Sequence, residues 1–235
     1  MEQLLRRDVG GRVAVAMVTE RDDGDVHPQR VDAALLRRRQ IASTGSPWVM
    51  LDEVHGTSMV TVDARAVPTF PLAGIGDILL TERPDAMLAV WVADCAPVAL
   101  FGANGETHVV AHAGWRGLAD GVLDAGVDAI ESTGTTVAAA VLGPCIHACC
   151  YEFGTADLER VALGVGASVA DVSGVTDWGT GALDMPRAVA ASLQRRGVSL
   201  DVVGPCTGCD QRFHSHRRRR ELARHALVAL FEEVS

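Results

Sequence analysis

"VALFGANGETHVVAHAG", residues 98–114, decides how this chain is read. Two apolar runs flank Gly102-Ala103-Asn104-Gly105. Asn-Gly is a strong hairpin signal, because a type I′ turn needs positive φ at both central residues. If Asn104 and Gly105 are those residues, Pro97 faces His112 and Cys95 faces Gly114. A shift of one residue sets Cys95 directly against His112. Directly opposed residues hold their Cβ atoms about 4.5–5.5 Å apart, and diagonal neighbours about 7–8 Å. Either register brings a thiol and an imidazole to one end of one hairpin.

Outward from the hairpin, "AMLAVWVADC" (86–95) reads as a continuous apolar strand ending at Asp94-Cys95, and "DILLTE" (77–82) as a short buried strand. "WVMLDEVHG" (48–56) reads as a strand ending at His55-Gly56, "MVTVDA" (59–64) as an alternating strand and "FPLAGIG" (70–76) as a Gly/Pro loop. On the other side, "GLADGVLDAGVDAIES" (117–132) repeats apolar residues at three and four, which predicts one amphipathic helix. "TVAAAVLGPC" (136–145) predicts a buried strand, "TADLERVALGVG" (155–166) and "MPRAVAASLQRRG" (185–197) two helices, and "LDVVGPCTGC" (200–209) a last strand and turn. Residues 217–233 begin with "RRRR" and continue with apolar residues at helical spacing, so a terminal helix with a solvated start is expected. Residues 1–45 carry the weakest signals: "RVAVAMVTE" (12–20) alternates like a strand and "DAALLRRRQIAST" (32–44) reads as a helix. Strands and helices mix without a strict βαβ rhythm. The expectation is one α/β (α+β) domain, a compact mixed-sheet sandwich over residues 1–235.

The 235 residues are 48% hydrophobic and 22% charged, the balance of a soluble globular protein with a sizeable core. No apolar run approaches the roughly 20 residues of a membrane helix, and "MEQLLRRDVG" lacks a secretory apolar region. A cytoplasmic location without membrane contact is expected. A net charge of −9 argues against nucleic acid as a partner. A monomer is favoured as the default state. All 21 basic residues are arginine. Without lysine there is no Schiff-base chemistry and no phosphate-loop lysine, so anions fall to arginine and backbone N–H groups.

Cys95 and His112 make half a metal site. Catalytic zinc keeps three protein ligands and an open position, whereas structural zinc takes four. His55, at a predicted strand end before a glycine, is the best third candidate. Each residue alone has an ordinary structural explanation, a hydrogen-bonded strand-end histidine or a small buried thiol. Arg116 and the first helical turn after "HAG" suit a phosphate, and Trp115 suits a planar ring; core packing and a carboxylate partner are the plain alternatives. Asp94 is a candidate to orient a ligand or move a proton, and Cys145 to line the pocket or act as a nucleophile. His108 is expected at the surface; His147, His214 and His216 are reserve ligands. "CTGC" (206–209) has metal or redox spacing but lacks a second pair at zinc-ribbon spacing.

"EVHGTSMVTVD", "AVWVADCAPVAL", "VVAHAGWRGLADGVLDAGV", "VLGPCIHACCYEFG" and "CTGCDQRFHSHRR", in this order, resemble the YfiH-type laccase-domain family, also called multicopper polyphenol oxidases and now known as purine nucleoside phosphorylases. The similarity spans roughly residues 47–232 and leaves residues 1–45 as a divergent segment. It implies a YfiH-type fold with metal ligands at His55, Cys95 and His112. It further implies Zn2+ as cofactor, a purine nucleoside and phosphate as substrates, phosphorolysis of adenosine, inosine and methylthioadenosine, and adenosine deamination. "SHRRRR" stands where the family has "SYRRDG", which changes an aromatic to His216. Copper is the alternative metal and polyphenol oxidation the alternative reaction; a multicopper enzyme would call for many histidine ligands, and only His214 and His216 form an HxH pair. A structural-zinc or redox protein built on Cys206 and Cys209, or a cysteine hydrolase pairing Cys95 or Cys145 with His112, are the remaining classes.

Overall fold

In the computed structural model, which describes residues 1–63 and 71–234, the elements follow in this order: β1 (Glu2–Val9), β2 (Arg12–Val18), α1 (Ala33–Thr44), β3 (Met50–Asp52), β4 (Met59–Val62), β5 (Leu72–Ile75), β6 (Ile78–Thr81), β7 (Leu88–Val92), β8 (Ala96–Gly102), β9 (His108–Ala113), α2 (Trp115–Ala119), α3 (Val122–Ser132), β10 (Val137–Leu142), α4 (Thr155–Val165), α5 (Val169–Val172), β11 (Ser173–Val175), β12 (Gly181–Leu183), α6 (Met185–Arg195), β13 (Val202–Val203), α7 (His216–Arg219) and β14 (His225–Glu233). A mixed sheet runs β13-β10-β8-β9-β6-β4, and an antiparallel sheet runs β1-β2-β14-β7. Two further pairs, β3-β5 and β11-β12, lie beside them.

The β8-β9 hairpin sits at the centre of the mixed sheet, and every residue of both strands is buried. Alternate residues therefore serve two cores. Val98, Leu100, Val109 and Ala111 pack under Leu123, Val127 and Ile130 of α3, with α4 and α6 beyond. Ala99, Phe101 and Val110 face Val90, Leu227, Ala229 and Phe231 of the antiparallel sheet. The outer face of that second sheet, through Ala226, Val228 and Ala89, packs on Leu36 of α1 and on Trp48 and Met50. The result is a two-sheet sandwich with helices outside both sheets, the α/β (α+β) class expected from sequence.

The hairpin takes the first of the two expected registers, with Pro97 opposite His112, but not the expected turn. Gly102 N–H donates to Thr107 at 2.8 Å, so the loop is 103–106 and only Gly105 is left-handed (φ 72°). Asn104 instead accepts from the backbone of Glu106 and Thr107 through its side chain. The longer loop has the same centre as a two-residue turn, so the pairing survives the change. A Cβ on Gly105 would come within 2.7 Å of the Gly10 carbonyl, because the hairpin tip docks on the β1-β2 turn.

Several expectations are corrected. Residues 217–233 do not form a terminal helix. Helix α7 covers only His216–Arg219, and His225–Glu233 is a central strand between β2 and β7. A strand buried on both faces loses its two-residue alternation and is indistinguishable from a buried helix by periodicity. The helix expected over 117–132 is two pieces, α2 and α3, broken at Gly121 (φ 91°). The loop expected at 70–76 carries β5, the strand expected to reach His55 ends at Asp52, and β1 had no sequence counterpart. Ala64 and Phe70, within the segments read as a strand and a loop, lie outside the described residues.

His108 is fully buried rather than at the surface; its Nε2–H donates to the Ala86 carbonyl at 2.9 Å, and its ring stacks on Phe101. Burial pulls its pKa down to about 4. Unfolding releases it to the ordinary value near 6.5, so the unfolded chain binds a proton that the folded chain refuses. Stability from this residue is present above about pH 6.5 and falls towards pH 4, by up to about 1.4 kcal/mol per pH unit. In urea titrations the stability advantage of the wild type over His108→Gln should shrink by this amount between pH 6.5 and 5. A constant difference would contradict the assignment.

Candidate metal centre and cavity

Three backbone features bring the candidate residues together. His55 lies after β3 with φ 63°, and Asp94 lies after β7 with φ 93°. Such left-handed conformations are costly for residues other than glycine and collect at functional sites. His112 lies on β9, the next residue but one before Gly114. A Cβ on Gly114 would fall 2.6 Å from the His55 ring and 3.5 Å from the Cys95 sulfur. The absence of that atom is what makes room for the pair.

The donor atoms of His55, Cys95 and His112 all lie within 4.8 Å of one another. His55 Nε2 is 3.7 Å from Cys95 Sγ, and the two imidazoles meet edge to face at 4.7 Å. His112 is buried, Cys95 is partly covered and His55 is exposed, so the triad is closed below and open above. This is an arrangement that one metal ion fits.

The sequence reading missed the group that holds the triad. Asp77, the residue before β6, has no exposed surface. Its Oδ1 accepts from His112 Nδ1 at 2.8 Å and from the His55 backbone N–H at 2.9 Å, and its Oδ2 accepts from Gly56 N–H at 2.7 Å. One carboxylate therefore fixes the left-handed loop and orients the His112 ring, directing Nε2 away from itself. A carboxylate on the far nitrogen is the common partner of a metal-bound histidine. Burial opposes the charge on Asp77, but the His112 and backbone hydrogen bonds outweigh it and hold its pKa below the usual range.

Glu53 was also missed. Its side chain is buried, 3.6 Å from His112 Nδ1, and accepts from the Trp91 backbone N–H at 2.8 Å. Burial pushes its pKa up to about 8. For Cys95 burial again opposes charge, but His112 and His55 draw the thiol down to about 6. His112 carries the complement: burial is outweighed by Glu53, Cys95 and Asp77, which raise its pKa well above the ordinary value. A buried thiolate and carboxylate held beside a protonated imidazole form a place where a metal cation can take over from the proton. The signal available in sequence was an acidic residue inside or opening an apolar strand, as in "MLDE" and "DILL".

The triad opens into a cavity of about 430 Å³, within the usual range for small-molecule sites. Asp94 lines it, with Oδ1 accepting from Thr207 Oγ1 at 2.6 Å and Oδ2 from the Arg217 backbone N–H at 2.6 Å. Arg116, Arg217 and Arg224 line it too, with Trp91, Trp115 and Tyr151 as flat walls. The Arg116 guanidinium lies 4.3 Å from the Trp115 ring centroid and has no ion pair among the described residues. Cys145 does not line the cavity; it is fully buried, and burial raises its pKa well above the thiol range. Of the reserve histidines, His216 lines the cavity, while His147 bonds the Gly204 carbonyl and His214 is buried. No helix among the described residues is long and apolar enough to cross a membrane.

The multi-copper polyphenol oxidoreductase laccase family matches residues 17–232. A purine nucleoside phosphorylase of Xylella fastidiosa is 36% identical over 206 residues, covering 82% of this chain and 76% of that protein. One from Streptomyces coelicolor is 36% identical over 183 residues, covering 75% and 72%. Among solved structures, the Bacillus licheniformis protein YfiH superposes with a TM-score of 0.81 at 21% identity, covering 97% of this chain and 99% of that one. Its fold is that of YfiH, and by the sequence match over residues 17–232 the chain belongs to the multi-copper polyphenol oxidoreductase laccase family.

Proposed function

We propose that this chain is a zinc-dependent purine nucleoside phosphorylase. It would convert adenosine, inosine or methylthioadenosine and phosphate to the free base and ribose 1-phosphate, and would also deaminate adenosine. The observation that carries this reading is a single cavity in which a His-Cys-His donor set, flat aromatic walls and three arginines converge. Two relatives at 36% identity bear the name purine nucleoside phosphorylase.

His55, Cys95 and His112 would hold the zinc, which when bound supplies Lewis acidity at the cavity floor. Asp77 orients His112, and Asp94, held by Thr207 and the Arg217 backbone, fixes the turn that carries Cys95. Arg116, uncommitted to a carboxylate and braced by Trp115, binds the phosphate. The helix that carries it is only Trp115–Ala119, so the guanidinium rather than the helix end carries this role. Tyr151 and Trp91 offer planar surfaces to a purine. In phosphorolysis a phosphate oxygen bonds to ribose C1′ while the C1′–N9 bond breaks and the base leaves with the electron pair. Deamination needs water at C6 and no phosphate, so phosphate dependence separates the two reactions. Cys145 is fully buried and does not line the cavity, so no step is assigned to it.

A His2Cys donor set is also that of blue-copper sites, which keeps copper as the second reading of the metal. Colour and metal content distinguish the two, zinc giving a colourless protein.

Incubation with adenosine should yield adenine only when phosphate is present, and inosine with or without it, as read by chromatography. His112→Ala removes a ligand and should cost more than the roughly 10–100-fold expected for an outer partner; full turnover in this variant would contradict the site. Asp77→Asn should fold but bind zinc about 10–100-fold more weakly, as measured against a competing chelator. Arg116→Gln should raise the KM for phosphate about tenfold or more, matching the loss of a charge-assisted bond, and leave the KM for adenosine nearly unchanged.

A further inference from the structure

We propose that Cys149, Cys150, Cys206 and Cys209 form a second metal site, a structural tetrathiolate for zinc. It rests on the cysteines alone and does not depend on the purine reading. The four sulfurs come from two turns far apart in sequence. Cys149 and Cys150 end the short 3-10 turn Ala148–Cys150 that follows β10, and Cys206 and Cys209 bracket the CTGC turn that follows β13. All four sulfurs lie within 4.8 Å of one another. Cys149 is 3.6 Å from Cys206 and 3.5 Å from Cys209, and Cys150 is 3.5 Å from Cys209. Zinc–sulfur bonds of about 2.3 Å in a tetrahedron separate the sulfurs by about 3.8 Å, whereas a disulfide needs about 2.05 Å. The second CxxC pair that the sequence lacked is replaced by the adjacent pair Cys149-Cys150.

The surroundings suit a thiolate cluster. The His147 backbone N–H points at Cys206 Sγ at 3.3 Å. A Cβ on Gly208 would sit 2.7 Å from Cys150 Sγ, so the turn closes tightly over the cluster only with glycine there. A zinc tetrathiolate carries a net charge of about −2, and the arginine block lies beside it. Arg219 donates to the Gly208 and Thr207 carbonyls, and Arg218 packs its stem on Gly208. Cys150 and Cys206 are buried while Cys209 is exposed, which leaves an entry path.

The site would clamp the wall of the candidate cavity. Tyr151 follows Cys150 directly, and Thr207, inside the CTGC turn, donates to Asp94. Zinc binding would therefore add a metal cross-link to two loops that otherwise meet through backbone hydrogen bonds around Cys145 and Cys206.

The test uses the full chain as His112→Ala, stripped by chelator under reducing conditions and reloaded with zinc alone. About one zinc per chain should remain bound, and the added pair Cys206→Ser with Cys209→Ser should abolish it. Reloading should also protect four thiols against a disulfide reagent. That measurement needs no cysteine variant and decides the matter if the double serine chain fails to fold. Loading with Co2+ should give strong thiolate-to-metal absorption in His112→Ala. A His112→Ala chain that binds no zinc and gains no thiol protection overturns the proposal. So does an intact mass, under the same reducing conditions, short by two or four hydrogens at these cysteines.

Discussion

The buried carboxylate of Asp77 is the constraint on which the centre depends. It satisfies the backbone of one loop and the ring of one strand at once, and has no exposed surface of its own. Removing a buried acceptor leaves donors unpaired, at about 1–3 kcal/mol each. The strained φ at His55 is sustained by these bonds. The same contacts set which nitrogen of His112 faces Cys95 and His55, so local backbone geometry and site chemistry are one arrangement.

The layered fold makes that arrangement rigid. Strands β8 and β9 are buried on both faces, so the residues at their ends are carried by a framework that cannot shift without disturbing two cores. Cys95 immediately precedes β8 and His112 is the last residue but one of its pairing partner, which places sulfur and imidazole by register rather than by loop flexibility. The exposed side of the site, His55 and Arg116, comes from the loop after β3 and the short helix α2, where access for a small molecule is needed.

The hairpin was legible because its signals are local. Asn104-Gly105 marks the centre of the loop even though the turn type differs, and register follows from the centre. The helix at residues 155–166 was legible for the same reason, through its periodicity. Strand β14 was not, because His225 to Phe231 alternate between two apolar cores and show no polar face. Asp77 and Glu53 were passed over because each sits at the edge of an apolar run, where a carboxylate reads as a strand end. The partners of Cys206 and Cys209 could not be read, since Cys149 and Cys150 meet them only through the pairing of β10 with β13. Local sequence signals thus point to the members of the His-Cys-His group, whereas only sheet topology brings Cys149 and Cys150 to Cys206 and Cys209.

Anomalous diffraction at the zinc absorption edge, from crystals of the zinc-loaded protein, tests the central claim most directly. A peak is expected, bonded to the imidazoles of His55 and His112 and the sulfur of Cys95, with His112 Nδ1 still on Asp77. No peak at that position in fully loaded crystals, or density showing the three side chains turned apart, would contradict it.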